Sequence, residues 1–123
     1  MPFQYTDAFV TLATADAETL VQFYAQLLEQ EPKSYIPKVY AEFQLSGLRL
    51  GIFNPKENHR AEFEHSAQSS MSLCLEVNDL EEAIAHLTRL GYPPPGEITT
   101  ASHGREIYAY DPDRNRLILH QCR

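Results

Sequence analysis

Alternating apolar and polar positions mark the first regular element of the chain. In Phe9-Val10-Thr11-Leu12-Ala13-Thr14, Val10 and Leu12 fall on one side and Phe9, Thr11 and Ala13 on the other, the period of a half-buried strand. The period then changes: Leu20, Phe23, Tyr24, Leu27 and Leu28 recur at i, i+3, i+4, i+7 and i+8, one apolar stripe of a helix. Asp16 is placed to accept from the unpaired N–H groups at its start, and Pro32 to stop it. Lys33–Pro37, Tyr40–Leu45 and Leu48–Phe53 read as three further strands, the last two joined by a turn at Ser46-Gly47. Residues 54 to 70 are polar, with Pro55 and Asn58 among them, and read as a linker or long loop.

The same order then begins again. Met71–Val77 alternates, with Leu73, Leu75 and Val77 on one face and Ser72, Cys74 and Glu76 on the other. Asp79 is a second helix cap, and Glu82 three residues on predicts a capping box. Leu80, Ala83, Ile84 and Leu87 supply the apolar stripe, and Gly91 is the expected C-terminal stop. Strands are predicted over Glu97–Ser102, Arg105–Tyr110 and Arg116–Gln121, with a tight turn at Asp111-Pro112-Asp113. Phe9 matches Ser72, Asp16 matches Asp79, Glu18 matches Glu81 and Val21 matches Ile84, each pair 63 positions apart. A repeat of this length predicts two βαβββ units, because either alone leaves one sheet face uncovered. The expectation is an α+β fold: a curved, eight-stranded mixed sheet with helices on its outer face and a concave face within. It is read as a single domain over residues 1–123, with module one about 5–54, a linker at 55–70 and module two at 71–122.

Composition narrows the partners. The 123 residues carry a formal net charge of −7, which argues against nucleic acid and anionic lipid, whose phosphates attract clustered Lys and Arg. No apolar run approaches the roughly 20 residues of a membrane span, and the N-terminus lacks the pattern of a signal peptide. Cytoplasm is the expected compartment. The two cysteines, Cys74 and Cys122, form no CxxC pair, so neither a disulfide framework nor a thiolate zinc site is expected. Cys74, inside an apolar strand pattern, is expected to be a buried, inert thiol.

The duplicated layout resembles the vicinal-oxygen-chelate superfamily of glyoxalase I, extradiol dioxygenases and bleomycin- or fosfomycin-resistance proteins. The residues that carry the likeness are Phe9-Val10-Thr11-Leu12, Asp16 and Phe23-Tyr24 in the first half. In the second they are Leu75-Glu76-Val77-Asn78-Asp79, Leu90-Gly91-Tyr92 and Asp111-Pro112-Asp113-Arg114-Asn115-Arg116. The last is similar to the family's Asp-Pro-Asp-Gly-Asn turn, with Arg114 where Gly is usual. The resemblance implies homodimerisation. It also implies, in the family's metalloenzymes, four strand residues that hold a divalent metal and polarise bidentate substrate oxygens. Those positions fall here on Phe9, Leu50, Ser72 and Ile118, and only the Ser72 hydroxyl is even a weak donor. A slip of one residue gives Ala8 or Val10, Arg49 or Gly51, Met71 or Leu73, and Leu117 or Leu119, which serve no better. A displaced set of Asp7, Glu76 and His120 keeps the inward parity but spans a full strand repeat. The family's metal centre is therefore expected to be missing, and no metal or other cofactor is expected.

The concave face is expected to hold Phe9, Thr11, Tyr40, Leu50, Ile52, Ser72, Cys74, Tyr108, Ile118 and His120, as the lining of an aromatic cleft or as a filled core. Arg105, in the His103-Gly104-Arg105 turn, is a candidate partner for a substrate carboxylate or phosphate, or an ordinary surface Arg. His120 is either a cleft residue or a structural one, and pairing Glu76 with His120 would be the nearest approach to acid–base chemistry. His59, His65 and His86 read as surface residues. The Glu57, His59, Glu62, Glu64 and His65 tract reads as solvated charge. The expected function is binding of a small aromatic or amphipathic molecule in the cleft, without metal. The alternative is a metal-dependent lyase, isomerase or dioxygenase with a rearranged site.

Overall fold

In the computed structural model, which describes residues 3–4 and 6–123, the alternating segments form strands and the 3.6-period segments form helices. Met1, Pro2 and Tyr5, which enter the N-terminal reading and the first module boundary, lie outside the described residues. Module one comprises β1 (Val10–Ala13), α1 (Ala17–Leu28), β2 (Ser34–Ile36), β3 (Tyr40–Leu45) and β4 (Leu48–Phe53). Module two comprises β5 (Leu73–Glu76), α2 (Leu80–Leu90), β6 (Thr99–Ala101), β7 (Gly104–Tyr110) and β8 (Arg116–Cys122). Between them the polar linker is wound into two 3-10 segments, Glu57–Phe63 and Ser66–Gln68.

The eight strands divide into two four-stranded mixed sheets, ordered β1-β4-β3-β2 and β5-β8-β7-β6. β1 lies parallel to β4 and β5 parallel to β8, while the other pairs are antiparallel. No ladder joins β1 to β5 among the described residues. Where one continuous sheet was expected, a cavity and the linker occupy the space between these two edges.

Each helix starts as its sequence dictates. Asp16 accepts from the Thr19 backbone N–H at 3.2 Å, and Asp79 accepts from that of Glu82 at 3.1 Å. The Glu82 side chain reaches Arg89 at 3.3 Å, one of the i, i+7 contacts of an exposed helix face, rather than closing the capping box. Helix α1 already ends at Leu28, with Glu29 in the left-handed conformation (φ 54°), ahead of Pro32. Helix α2 ends on Gly91 at φ 96°, a conformation that glycine adopts without steric cost.

One face of each sheet packs on the helices. Ala41, Phe43, Leu50 and Ile52 of module one and Ile107, Ala109, Leu117 and Leu119 of module two are buried, in one cluster with Leu20, Phe23, Tyr24, Leu80 and Leu87. The opposite, open face carries Phe9, Thr11, Tyr40, Glu42 and Arg49 in module one and Cys74, Glu76, Tyr108, Ile118 and His120 in module two, since successive strand residues alternate.

A buried polar bond ties the modules together. The Tyr24 hydroxyl donates to Asp111 Oδ2 at 2.7 Å. Asp111 in turn accepts from the backbone N–H groups of Asp113 and Asn115 and from the Asn115 amide. This fixes the turn into β8, in which Arg114 takes the left-handed conformation (φ 68°) where the family's Gly would sit. A hydrogen bond to a buried carboxylate contributes about 2 kcal/mol. Tyr24→Phe should therefore lower unfolding stability by about that amount in urea denaturation, with no change in the denaturant slope.

Candidate functional site

The cavity between β1 and β5 measures about 470 Å³. Val10 to Ala13 form one wall and Met71 to Cys74 the other, with Tyr24 and Leu50 among its lining. The linker adds Glu62, Phe63, His65, Ser66 and Ser69, and the start of β8 adds Asn115 and Arg116. Phe63 is held there by an edge-on contact with Phe53, ring centroids 5.6 Å apart. Ser66 donates to the Asp113 carbonyl at 2.6 Å, and the Arg116 guanidinium donates to the Ser69 carbonyl at 2.6 and 3.0 Å. The linker is thus fastened to the β8 turn and brings Glu62 and His65 to the cavity, while its charged tract stays exposed as expected. The one apolar aromatic in that polar stretch, Phe63, was the signal in the sequence.

Of the residues expected to line a cleft, Thr11, Leu50, Ser72 and Cys74 line this cavity. Leu50 and Ile52 were expected on the open face, yet both are fully buried on the helix side. The register explains the error: Thr11 pairs with Gly51 as Cys74 pairs with Ile118. Gly51, not Leu50, is therefore the counterpart of Ile118, because the β7–β8 turn is longer than the two-residue β3–β4 turn. Cys74 is exposed, not buried. Its thiol is pushed up by partial burial and then by the Glu76 and Glu106 carboxylates, which disfavours a reactive thiolate.

Arg105 also lies elsewhere than expected. Its guanidinium turns to the helix side and forms a bidentate pair with Glu81 of α2 at 2.6 and 2.8 Å. It donates as well to Gln121 Oε1 at 3.0 Å, which also accepts from the Leu80 N–H at 2.7 Å. Arg105 anchors the start of α2 to the sheet and is not free for a ligand.

The open face of module one holds a charged network that the sequence did not reveal. Arg49 donates to Glu42 at 3.1 Å, pairs with Asp7, and lies 4.6 Å from the Phe9 ring centroid. Tyr40 donates to Glu42 at 2.8 Å, and this bond followed by that of Arg49 holds the Glu42 carboxyl below its usual range. Asp7 is thus engaged in module one and does not join Glu76 and His120. Those two do meet, His120 Nδ1 lying 2.7 Å from Glu76 Oε1, and His103 Nδ1 lies 3.1 Å from His120 Nε2. The His120 contact holds the Glu76 carboxyl down. Tyr108, half exposed, and Ile118 flank this group on the open face.

The open-face counterparts of the family's metal ligands are Phe9, Gly51, Ser72 and Ile118. A Cβ at Gly51 would stand 3.1 Å from the Tyr40 hydroxyl and 3.3 Å from the Thr11 methyl, so the space for a β4 donor is already taken. One hydroxyl, two hydrocarbon side chains and a glycine do not fit a divalent metal.

The glyoxalase/bleomycin resistance protein/dioxygenase superfamily model matches residues 8–119, and the chain belongs to that superfamily. No curated protein matches it. Among solved structures, hypothetical protein SA1046 from S. aureus is similar with a TM-score of 0.77 at 17% identity, over 98% of this chain and 96% of that one. A glyoxalase/bleomycin resistance protein from Catenulispora acidiphila gives a TM-score of 0.70 at 22% identity, over 97% and 100%. A lactoylglutathione lyase from Agrobacterium tumefaciens gives 0.69 at 16% identity, over 95% and 94%. These likenesses establish the fold. Among the described residues no helix is long and apolar enough to cross a membrane.

The Glu81–Arg105 pair sets a pH dependence. The bonds from Arg105 hold the Glu81 carboxyl at about 2, against a usual 4.5. A depressed carboxyl contributes stability that is fully present above the usual value and is lost as pH falls through the depressed one. The stability deficit of Arg105→Met relative to wild type, measured by thermal unfolding, should be largest above pH 4.5 and should shrink as the pH falls towards about 2.

Proposed function

We propose that the protein binds a small aromatic or amphipathic molecule in the cavity between β1 and β5, without a metal at the family's centre. The cavity carries the reading. Its volume of about 470 Å³ lies in the range of small-molecule sites, which combine apolar walls with a few polar groups that fix orientation. Val10, Leu12, Phe63, Met71 and Leu73 supply the walls, and Thr11, Ser72, His65 and Asn115 the polar groups. Binding there needs no Lewis acid, in keeping with the non-donor residues at the metal positions.

A homodimer belongs to the same proposal. Among the described residues no further layer covers the open faces of the two sheets, and Phe9 and Tyr108 stand 46% and 50% exposed on them. Such apolar exposure on a sheet face favours a partner surface. A second reading, a metal-dependent lyase, isomerase or dioxygenase with a rearranged site, draws on the convergence of Glu76, His120 and His103. Stoichiometric metal in the purified protein, needed for turnover of a substrate, would carry that reading instead.

Titration calorimetry against flat aromatic compounds tests the binding proposal. At least one should bind with one site per chain, and Ser72→Trp, which places an indole in the cavity from an exposed position just ahead of β5, should weaken it at least about tenfold, or about 1.4 kcal/mol. Silence across the panel, or unchanged affinity in the variant, would count against it.

A further inference from the structure

We propose that His103 and His120 form a second site, outside the cavity, that takes a borderline divalent cation such as nickel(II), copper(II) or zinc(II). Their facing nitrogens, His103 Nδ1 and His120 Nε2, are 3.1 Å apart. Two imidazole nitrogens each about 2.0–2.1 Å from an ion of this class stand about 3 Å apart when the angle at the metal is near 100°. The pair therefore already has a chelating separation. Without an ion, one ring donates its N–H to the lone pair of the other. When a cation takes that place, it accepts the Nε2 lone pair of His120 and the Nδ1 lone pair of His103, whose proton passes by exchange with solvent to its own Nε2, so both rings stay neutral.

The surroundings prepare His120 for this role. Glu76 Oε1, 2.7 Å from His120 Nδ1, accepts the Nδ1 proton and leaves the Nε2 lone pair for the ion, the carboxylate–histidine arrangement that orients metal-binding imidazoles. Glu76 is itself fixed, because its Oε2 accepts from the Cys122 N–H at 2.7 Å. Gly104 makes room for the pair. At φ 148°, a Cβ there would lie 2.2 Å from the Gln121 carbonyl oxygen and 3.1 Å from His120 Nε2. Glu106, opposite His120 in the β7–β8 register, adds negative charge on the same face.

Among the described residues no cluster of three or more His, Cys, Asp or Glu is placed to hold a metal, so water or a small ligand completes the coordination. The imidazole class of donor favours nickel, copper and zinc over magnesium or calcium. The site is distinct from the family's centre and from the cavity: His120 lies about 13 Å along β8 from Arg116 at the cavity wall. Its failure would leave the binding proposal standing, and the reverse also holds.

The test is calorimetric titration of chelator-stripped protein with nickel(II) or zinc(II) chloride alone. Wild type should bind one ion per chain. His103→Ala, in an exposed turn, and His120→Ala should each weaken binding at least about tenfold. Glu76→Gln should weaken it about tenfold, as loss of an orienting carboxylate does, while His59→Ala, on the exposed linker, should bind as wild type. Circular dichroism of each variant separates lost binding from lost fold. Absence of binding by wild type would overturn the proposal, and so would wild-type affinity in the folded His103→Ala variant.

Discussion

The burial of one face of each four-stranded sheet against α1 and α2 governs everything else in this molecule. A strand has only two faces, so once Leu50, Ile52, Leu117 and Leu119 are committed to the helix side, their neighbours must face the other way. Arg49, Gly51, Ile118 and His120 are therefore on the open face by consequence. A register shift that exchanged the two sets would bury a guanidinium and an imidazole and expose four aliphatic side chains. The cost of an unpaired buried charge makes that exchange untenable. The Tyr24–Asp111 bond then fixes how the two half-structures meet, and the cavity is what their meeting leaves between β1 and β5.

Where each module is regular, its structure is legible in the sequence. The 63-residue offset holds from Phe9 and Ser72 through the helix caps Asp16 and Asp79, and β3 and β4 fall where their alternation puts them. The offset fails after the helices, since the β7–β8 turn is longer than the β3–β4 turn, and that failure misplaced Leu50 by one residue. Long-range side-chain partners were also out of reach. Nothing local says that Arg105 pairs with Glu81 on α2, or that Arg49 gathers Glu42 and Asp7. The 3-10 winding of the linker was not legible, because its order comes from Phe63 packing on Phe53 and from bonds of Ser66 and Arg116 between the linker and the β8 turn, distant in sequence.

The superfamily's fold holds donors from four strands around one point, but this chain fills those positions with Phe9, Gly51, Ser72 and Ile118, and Tyr40 closes over Gly51. The same scaffold then retains two assets. One is the apolar slot between its halves. The other is a pair of imidazoles further along β8, backed by Glu76. In module one, Arg49 pairs with both Glu42 and Asp7, which leaves that network with one negative charge in excess.

The central claim is that ligand binding resides in the slot between β1 and β5. Amide NMR spectra of labelled protein, recorded during titration with a flat aromatic compound, test it most directly. The account predicts shifts concentrated at residues 10–13, 63–66 and 71–74, with the amides of β2 and β6 unmoved. Shifts confined to the open faces around Arg49 or Tyr108, with the slot silent, would contradict it.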